Sequence, residues 1–139
     1  KLSLIMFDID FFKKVNDNHG HDIGDKVLQA YTRLIAQNLR EVDIFCRVGG
    51  EEFMVIAPHT DINSAEKLAE KLRKKVEDLK EVLPITMSFG VVSYKKDEGY
   101  DMIFKRVDEA LYKAKESGRN KVVVGWDVLC PWDKSSKES

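Results

Sequence analysis

The chain has few of the residues that staple or break structure. Among 139 residues there are two cysteines and three prolines. Cys46 and Cys130 read as free thiols of a reducing compartment, not as a disulfide framework or a zinc site. A net charge of −1 gives no long-range pull toward nucleic acid. No apolar stretch approaches the roughly 18–20 residues that span a membrane. No signal peptide and no internal repeat are recognised. What is present is 43% hydrophobic and 34% charged. That balance excludes disorder and fits one globular domain with a sizeable core.

The most informative run is Arg47-Val48-Gly49-Gly50-Glu51-Glu52-Phe53. Apolar residues flank it, Ile44-Phe45-Cys46 before and Met54-Val55-Ile56 after. That is the pattern of two strands joined by a tight turn, with glycine supplying positive φ. Glycines let a bulky ligand approach the backbone, and adjacent acids can hold a hard cation through oxygen. A tight glycine turn beside metal-binding carboxylates suits a nucleoside triphosphate. An ordinary polar hairpin has the same local pattern, so a second acidic site is what matters.

That second site is upstream. Leu2 to Phe7 is an apolar run of strand length, and Asp8-Ile9-Asp10 follows at its end. Asp10 is expected to cap a helix that starts at Phe11. Asp8 has no such duty and is the better metal ligand. If the two strands pair, Asp8 and Glu51 can share one cation, which relieves their mutual repulsion.

The remaining elements follow from periodicity and punctuation. A short helix is expected over 11–18, stopped by Gly20, and a longer one over 22–39 with Val27, Leu28, Tyr31, Leu34 and Ile35 inward. A hairpin over 44–47 and 52–57 ends at Pro58. Asp61 or Asn63 caps a helix to about residue 80, with Ala65, Leu68, Ala69, Leu72 and Val76 inward. A strand over 85–93 comes after Pro84. A helix over 101–117, with Ile103, Phe104, Val107, Leu111 and Ala114 inward, ends at Gly118. A strand over 121–125 closes the domain. The fold class is α/β (α+β): a mixed, mostly antiparallel central sheet flanked by helices.

Four blocks in this order resemble the GGDEF family of diguanylate cyclases, here with a Gly-Gly-Glu-Glu-Phe signature. They are Asp8 to Asp17, Gly20 to Asp25, Arg47 to Phe53, and Ala110 to Lys115 with Gly118 to Val122. The resemblance covers residues 1–125 and implies a catalytic domain with the palm-like fold of class III nucleotide cyclases. The family's usual Asp-x-Leu-Thr-Gly-Leu-x-Asn-Arg segment before the first strand is absent from these 139 residues. A fragment that starts inside the domain is therefore expected. Residues 126–139, with Trp126 and Trp132, fall outside the pattern and read as a tail or linker.

The resemblance implies condensation of two GTP into cyclic di-GMP with release of two pyrophosphates, at the interface of two such domains. Magnesium, or manganese in its place, would bind as two ions per active site. Asp8, the Ile9 carbonyl and Glu51 would hold metal, and Glu52 a second metal or the triphosphate side. Glu51 is also placed to act as base. Asn16 and Asp25 would accept hydrogen bonds from guanine, and His21 would help place the nucleotide. Gly49 and Gly50 would admit the phosphates. The Phe11 and Phe12 amides, Lys13, Lys115 and Arg119 would meet them, with Lys13 also stabilising transition-state charge. In isolation Lys115 and Arg119 would read as compensating a helix dipole; the resemblance favours contacts to the β- and γ-phosphates. Arg47 could serve the phosphates or brace an acid.

Arg40-Glu41-Val42-Asp43 resembles the family's inhibitory product site. A third arginine expected in the helix after it falls on Lys71, which lacks arginine's planar fork. Arg73 is close enough in sequence to substitute. The implied partners are GTP, cyclic di-GMP, a second GGDEF domain and a regulatory or sensor domain outside this chain. Nucleic acid is not among them. The implied location is cytoplasmic, alone or as the cytoplasmic domain of a membrane-bound sensor. Two alternatives stand beside this reading: a non-catalytic sensor of GTP or cyclic di-GMP, and an interaction module that keeps only the fold.

Overall fold

The first apolar run becomes the central strand. In the computed structural model, which describes residues 1–125, β1 spans Leu2–Ile9 and is buried along nearly its whole length. The tail expected at 126–139, with Cys130, Trp126 and Trp132, lies outside the described residues. The remaining elements are α1 (Phe12–His19), α2 (His21–Gln37), β2 (Ile44–Gly49), β3 (Glu52–Pro58), α3 (Ile62–Leu79), β4 (Met87–Ser93), α4 (Tyr100–Glu116) and β5 (Val122–Val124). The strands form one sheet in the order β2-β3-β1-β4-β5. β1 runs antiparallel to both β3 and β4, β2 is antiparallel to β3, and only β5 is parallel to its neighbour. This is the mixed, mostly antiparallel sheet that the residue pattern predicts.

Alternation along β1 builds a core on each face. Ile5, Phe7 and Ile9 join residues of α2 and α3, including Val27, Tyr31, Ala69 and Leu72. Leu4 and Met6 face the other way and pack with Met54, Val92, Ile103, Val107 and Leu111 under α4. Across the first face runs an aromatic row. Phe7 stacks on Phe89 at 4.9 Å, on Phe53 at 5.7 Å and on Phe45 at 6.2 Å between ring centroids. Such pairs contribute about 0.5–1.5 kcal/mol each beyond their burial. They lock the register of four strands, and so fix which residues reach the carboxyl end of β1.

Helix boundaries obey local chemistry. Asp61 caps α3 by accepting the Ser64 amide at 2.8 Å. Gly20 (φ 88°) ends α1 and Gly118 (φ 120°) follows the end of α4. Two expectations are corrected. Asp10 does not cap α1: the N-cap is Phe11, in left-handed backbone, with no side-chain cap bond. Phe104 is 43% exposed, because the helical turn it was assigned to buries Arg106 instead. Arg106 escapes a pattern search for apolar residues. It is buried because Glu98 pairs with it at 2.7 Å and the Ser93 carbonyl accepts from it at 2.7 Å.

β4 and α4 touch at Gly90. A Cβ there would lie 2.4 Å from the Leu111 amide nitrogen and 2.7 Å from the Val107 carbonyl oxygen. Both are helix backbone atoms that cannot turn aside. Gly90→Ala is expected to cost about 2 kcal/mol of stability, read as a lower urea midpoint. An unchanged midpoint would mean that α4 can stand off the sheet without loss.

Candidate active site

The site is assembled where β1 ends. Asp8 stands opposite Glu52 in the antiparallel register, so the two side chains share the face under α4. Asp8 is almost fully buried, and its Oδ2 pairs with the Lys115 ammonium from α4. Its other oxygen, Oδ1, has no hydrogen-bond partner. Burial pushes the Asp8 carboxyl up to about 6; Lys115 works in the opposite direction, and the charges of Asp10 and Glu51 add to the rise. Glu51 is therefore near enough for its charge to act on Asp8.

A buried carboxylate oxygen with no partner is costly unless something else satisfies it. A divalent cation fits that need. Among the described residues no group of three or more acidic, His or Cys side chains forms a closed metal cage. Magnesium takes one or two carboxylates and keeps the rest of its shell for water and substrate phosphate.

The sign of the Asp8 shift sets a pH dependence. A cation binds the carboxylate, not the acid. Manganese binding to the nucleotide-free domain is expected at neutral pH and falls away as pH drops through about 6. Lys115→Met removes a cation that lowers this pKa, so the midpoint moves to higher pH. For the metal-free fold, the contribution of Asp8 is present below its unfolded value of 3.8 and is lost as pH rises through about 6. A manganese affinity that stays flat as pH drops through about 6 would show that Asp8 is not the ligand.

The signature turn lies beside Asp8. Gly50 takes φ 45°, while Gly49 needs no positive φ. A Cβ at either would meet nothing within 4 Å, so the space over the turn is open to a ligand. The register shifts between Arg47 and Gly49, and Glu51 sits half-buried in the turn between β2 and β3. Arg47 Nε donates to the Gly50 carbonyl at 2.7 Å and braces the turn itself.

The base-reading candidates lie on the facing helices α1 and α2. Asn16 carries no side-chain hydrogen bond among the described residues, and its carboxamide lies directly against Gly24, where a Cβ would fall 1.9 Å from Oδ1. The local capping duty falls to its backbone carbonyl, which accepts from Gly20 N–H at 2.8 Å. Asp25 and His21 are exposed on the first turns of α2. Lys13 is exposed on the first turn of α1 and pairs with Asp17 at 3.0 Å, the solvated kind of pair that is easily exchanged. Arg119 lies over the Phe11 ring at 4.5 Å and 3.8 Å from Asp10 Oδ1.

The structure brings Asp8, Glu51, Glu52, Lys115 and Arg119 to one end of the sheet. The Arg40–Asp43 pair lies elsewhere. Arg40 grips Asp43 at 2.6 Å and also donates to the Pro58 carbonyl and Thr60 hydroxyl, beside the start of α3. Lys71 is exposed on α3. Arg73 is committed elsewhere, to Glu70, Glu77 and Asn120. About eleven residues of helix, roughly 16 Å, separate it from the start of α3. Sequence reasoning gave Asp10 a capping role and Asn120 none. Their partners are 32 to 110 residues away along the chain, a separation that leaves no local signal.

Comparison with known proteins accounts for this arrangement. The model of the family described as diguanylate cyclase, GGDEF domain, matches residues 1–121, and the chain belongs to that family. Response regulator PleD of Caulobacter vibrioides is 46% identical over 131 residues, covering 88% of this chain and 29% of that protein. Diguanylate cyclase DgcM of Escherichia coli is 44% identical over 123 residues, covering 87% and 30%. The chain thus spans under a third of the length of these curated relatives. Among solved structures, the active GGEEF domain of a diguanylate cyclase from Vibrio cholerae superposes with TM-score 0.83 at 37% identity, covering 91% of this chain and 84% of that one. The GGDEF domain of DgcB from Caulobacter crescentus, in complex with c-di-GMP, superposes with TM-score 0.83 at 31% identity, covering 89% and 77%.

Proposed function

We propose that this domain is a diguanylate cyclase, which condenses two GTP into cyclic di-GMP and two pyrophosphates. The observation that carries this is the unpartnered buried oxygen of Asp8, facing Glu52 and close to Glu51, in a chain of the GGDEF family. Asp8, the Ile9 carbonyl and Glu51 would hold one divalent ion, and Glu52 a second. Bound magnesium or manganese would screen the triphosphate and lower the pKa of a bound hydroxyl.

The remaining work belongs to the chain. Asn16 and Asp25 accept from the guanine edge, which adenine cannot match. His21 places the nucleotide, and the open backbone at Gly49 and Gly50 admits the phosphates. The Phe11 and Phe12 amides, Lys13, Lys115 and Arg119 balance triphosphate charge. Lys115 must then exchange Asp8 for phosphate as the cation arrives. Glu51 takes the proton of the attacking 3′-hydroxyl. Each domain holds one GTP, so the reaction needs two domains face to face, and a regulatory domain outside this chain would bring them together. Arg40 and Asp43, with Lys71, form an inhibitory site for the product. The location is cytoplasmic, and no helix among the described residues is long and apolar enough to cross a membrane.

The test is product formation from GTP and magnesium at two protein concentrations. Cyclic di-GMP that rises more than linearly with protein is the expected result. No product, even with the domain fused to a strong dimeriser, would overturn the catalytic reading. A sensor of GTP or cyclic di-GMP would remain.

A further inference from the structure

The chain bends most sharply where it leaves α4. Gly118, Arg119 and Asn120 have φ of 120°, 61° and 48°. Two successive non-glycine residues in left-handed backbone are costly and persist only when their surroundings hold them. Phe11, at the foot of α1, is left-handed too, at φ 59°. The two segments meet at Asp10.

Asp10 is 4% exposed. It accepts from the Thr86 hydroxyl at 2.6 Å, the Ser88 hydroxyl at 2.6 Å and the Asn120 amide at 3.0 Å. Among the described residues it pairs with the Arg119 guanidinium, at 3.8 Å. That distance is beyond hydrogen-bond reach, so the carboxylate orients the guanidinium without consuming its donors. The Phe11 ring supports it from the other side. The Asn120 side chain fastens the loop to α3, donating to Glu77 at 2.9 Å and accepting from Arg73 at 3.0 Å.

We infer that Asp10 and Asn120 are positioning residues, which hold Arg119 ready for the terminal phosphates of the nucleotide. The inference rests on the cyclase reading of the same site. A loop built for stability alone would need only the glycine at the helix end, and the Arg119 amide already closes that turn on the Ala114 carbonyl at 2.9 Å. Nor would it need a buried charge, since a neutral side chain can accept from two hydroxyls and an amide at less desolvation cost. The charge is answered by Arg119, and the Asn120 tie keeps the loop in place when Arg119 is pulled by its ligand.

The experiment uses two variants. Asn120→Gly keeps the left-handed backbone accessible and removes the amide. Arg73→Met removes the amide's partner on the surface of α3, and keeps the test open if the first variant unfolds. Binding of 3′-deoxy-GTP, which cannot condense, and of GMP is measured by calorimetry with magnesium, with thermal unfolding alongside. Affinity for 3′-deoxy-GTP is expected to fall about tenfold in both variants, while GMP, which lacks the terminal phosphates, stays within about twofold. Equal losses for both ligands, or no loss for either, would overturn the inference. A wild-type domain that binds neither ligand would overturn the cyclase reading first, and the inference with it.

Discussion

Glu51→Gln is expected to lower cyclic di-GMP formation about a thousandfold, within the range that a positioned base or metal-site group supplies. The amide keeps the shape of the side chain and removes its charge and basicity. Glu51 sits half-buried in the turn between β2 and β3, away from both cores, so the thermal midpoint should barely move. A second readout separates the charge from general damage. Glu51 is one of the charges that raise the Asp8 pKa, so the variant should titrate Asp8 at lower pH. Activity within tenfold of wild type would remove Glu51 from the chemistry.

Gly24→Ala should separate recognition from stability. A Cβ at Gly24 would fall 1.9 Å from Asn16 Oδ1 and 3.1 Å from its Cγ. These atoms end a flexible side chain, so they swing away and the fold survives. Alanine is also the better helix former, by roughly 1 kcal/mol, which favours α2. The displaced carboxamide no longer meets the guanine edge. Preference for GTP over ATP, measured as the ratio of kcat/KM, is expected to fall about a hundredfold, while the urea midpoint holds or rises. An unchanged preference would mean that Asn16 does not read the base.

The sequence carries much of this arrangement in local signals. Strand β1, the signature turn and the three long helices announce themselves by period and by glycine, and the Asp61 cap by its position. What fails is whatever depends on distant partners. Asp10 has the spacing of a cap, yet Phe11 bends into left-handed backbone and sends it into the sheet, where Thr86 and Ser88 receive it. Lys115 reads as a dipole-compensating or phosphate-binding residue, and only the packing of α4 on β1 pairs it with Asp8. Arg73 reads as a stand-in for the missing arginine of the product site. Its bond to Asn120, 47 residues on, leaves no mark in the sequence.

The place of β1 in the sheet also has a consequence for how the domain comes to exist. It precedes both of its neighbours in the chain and sits between them. Asp8 pairs across to Glu52, 44 residues later, and to Ser88, 80 residues later. During synthesis this buried strand must therefore wait with one edge open, even after β3 has emerged, until β4 has left the ribosome. Such distant pairing folds slowly, since the loops between the strands must be closed before any contact repays them. A chain cut short before residue 93 would keep its two aspartates and lose the strand that shelters them, and aggregation would be its natural fate.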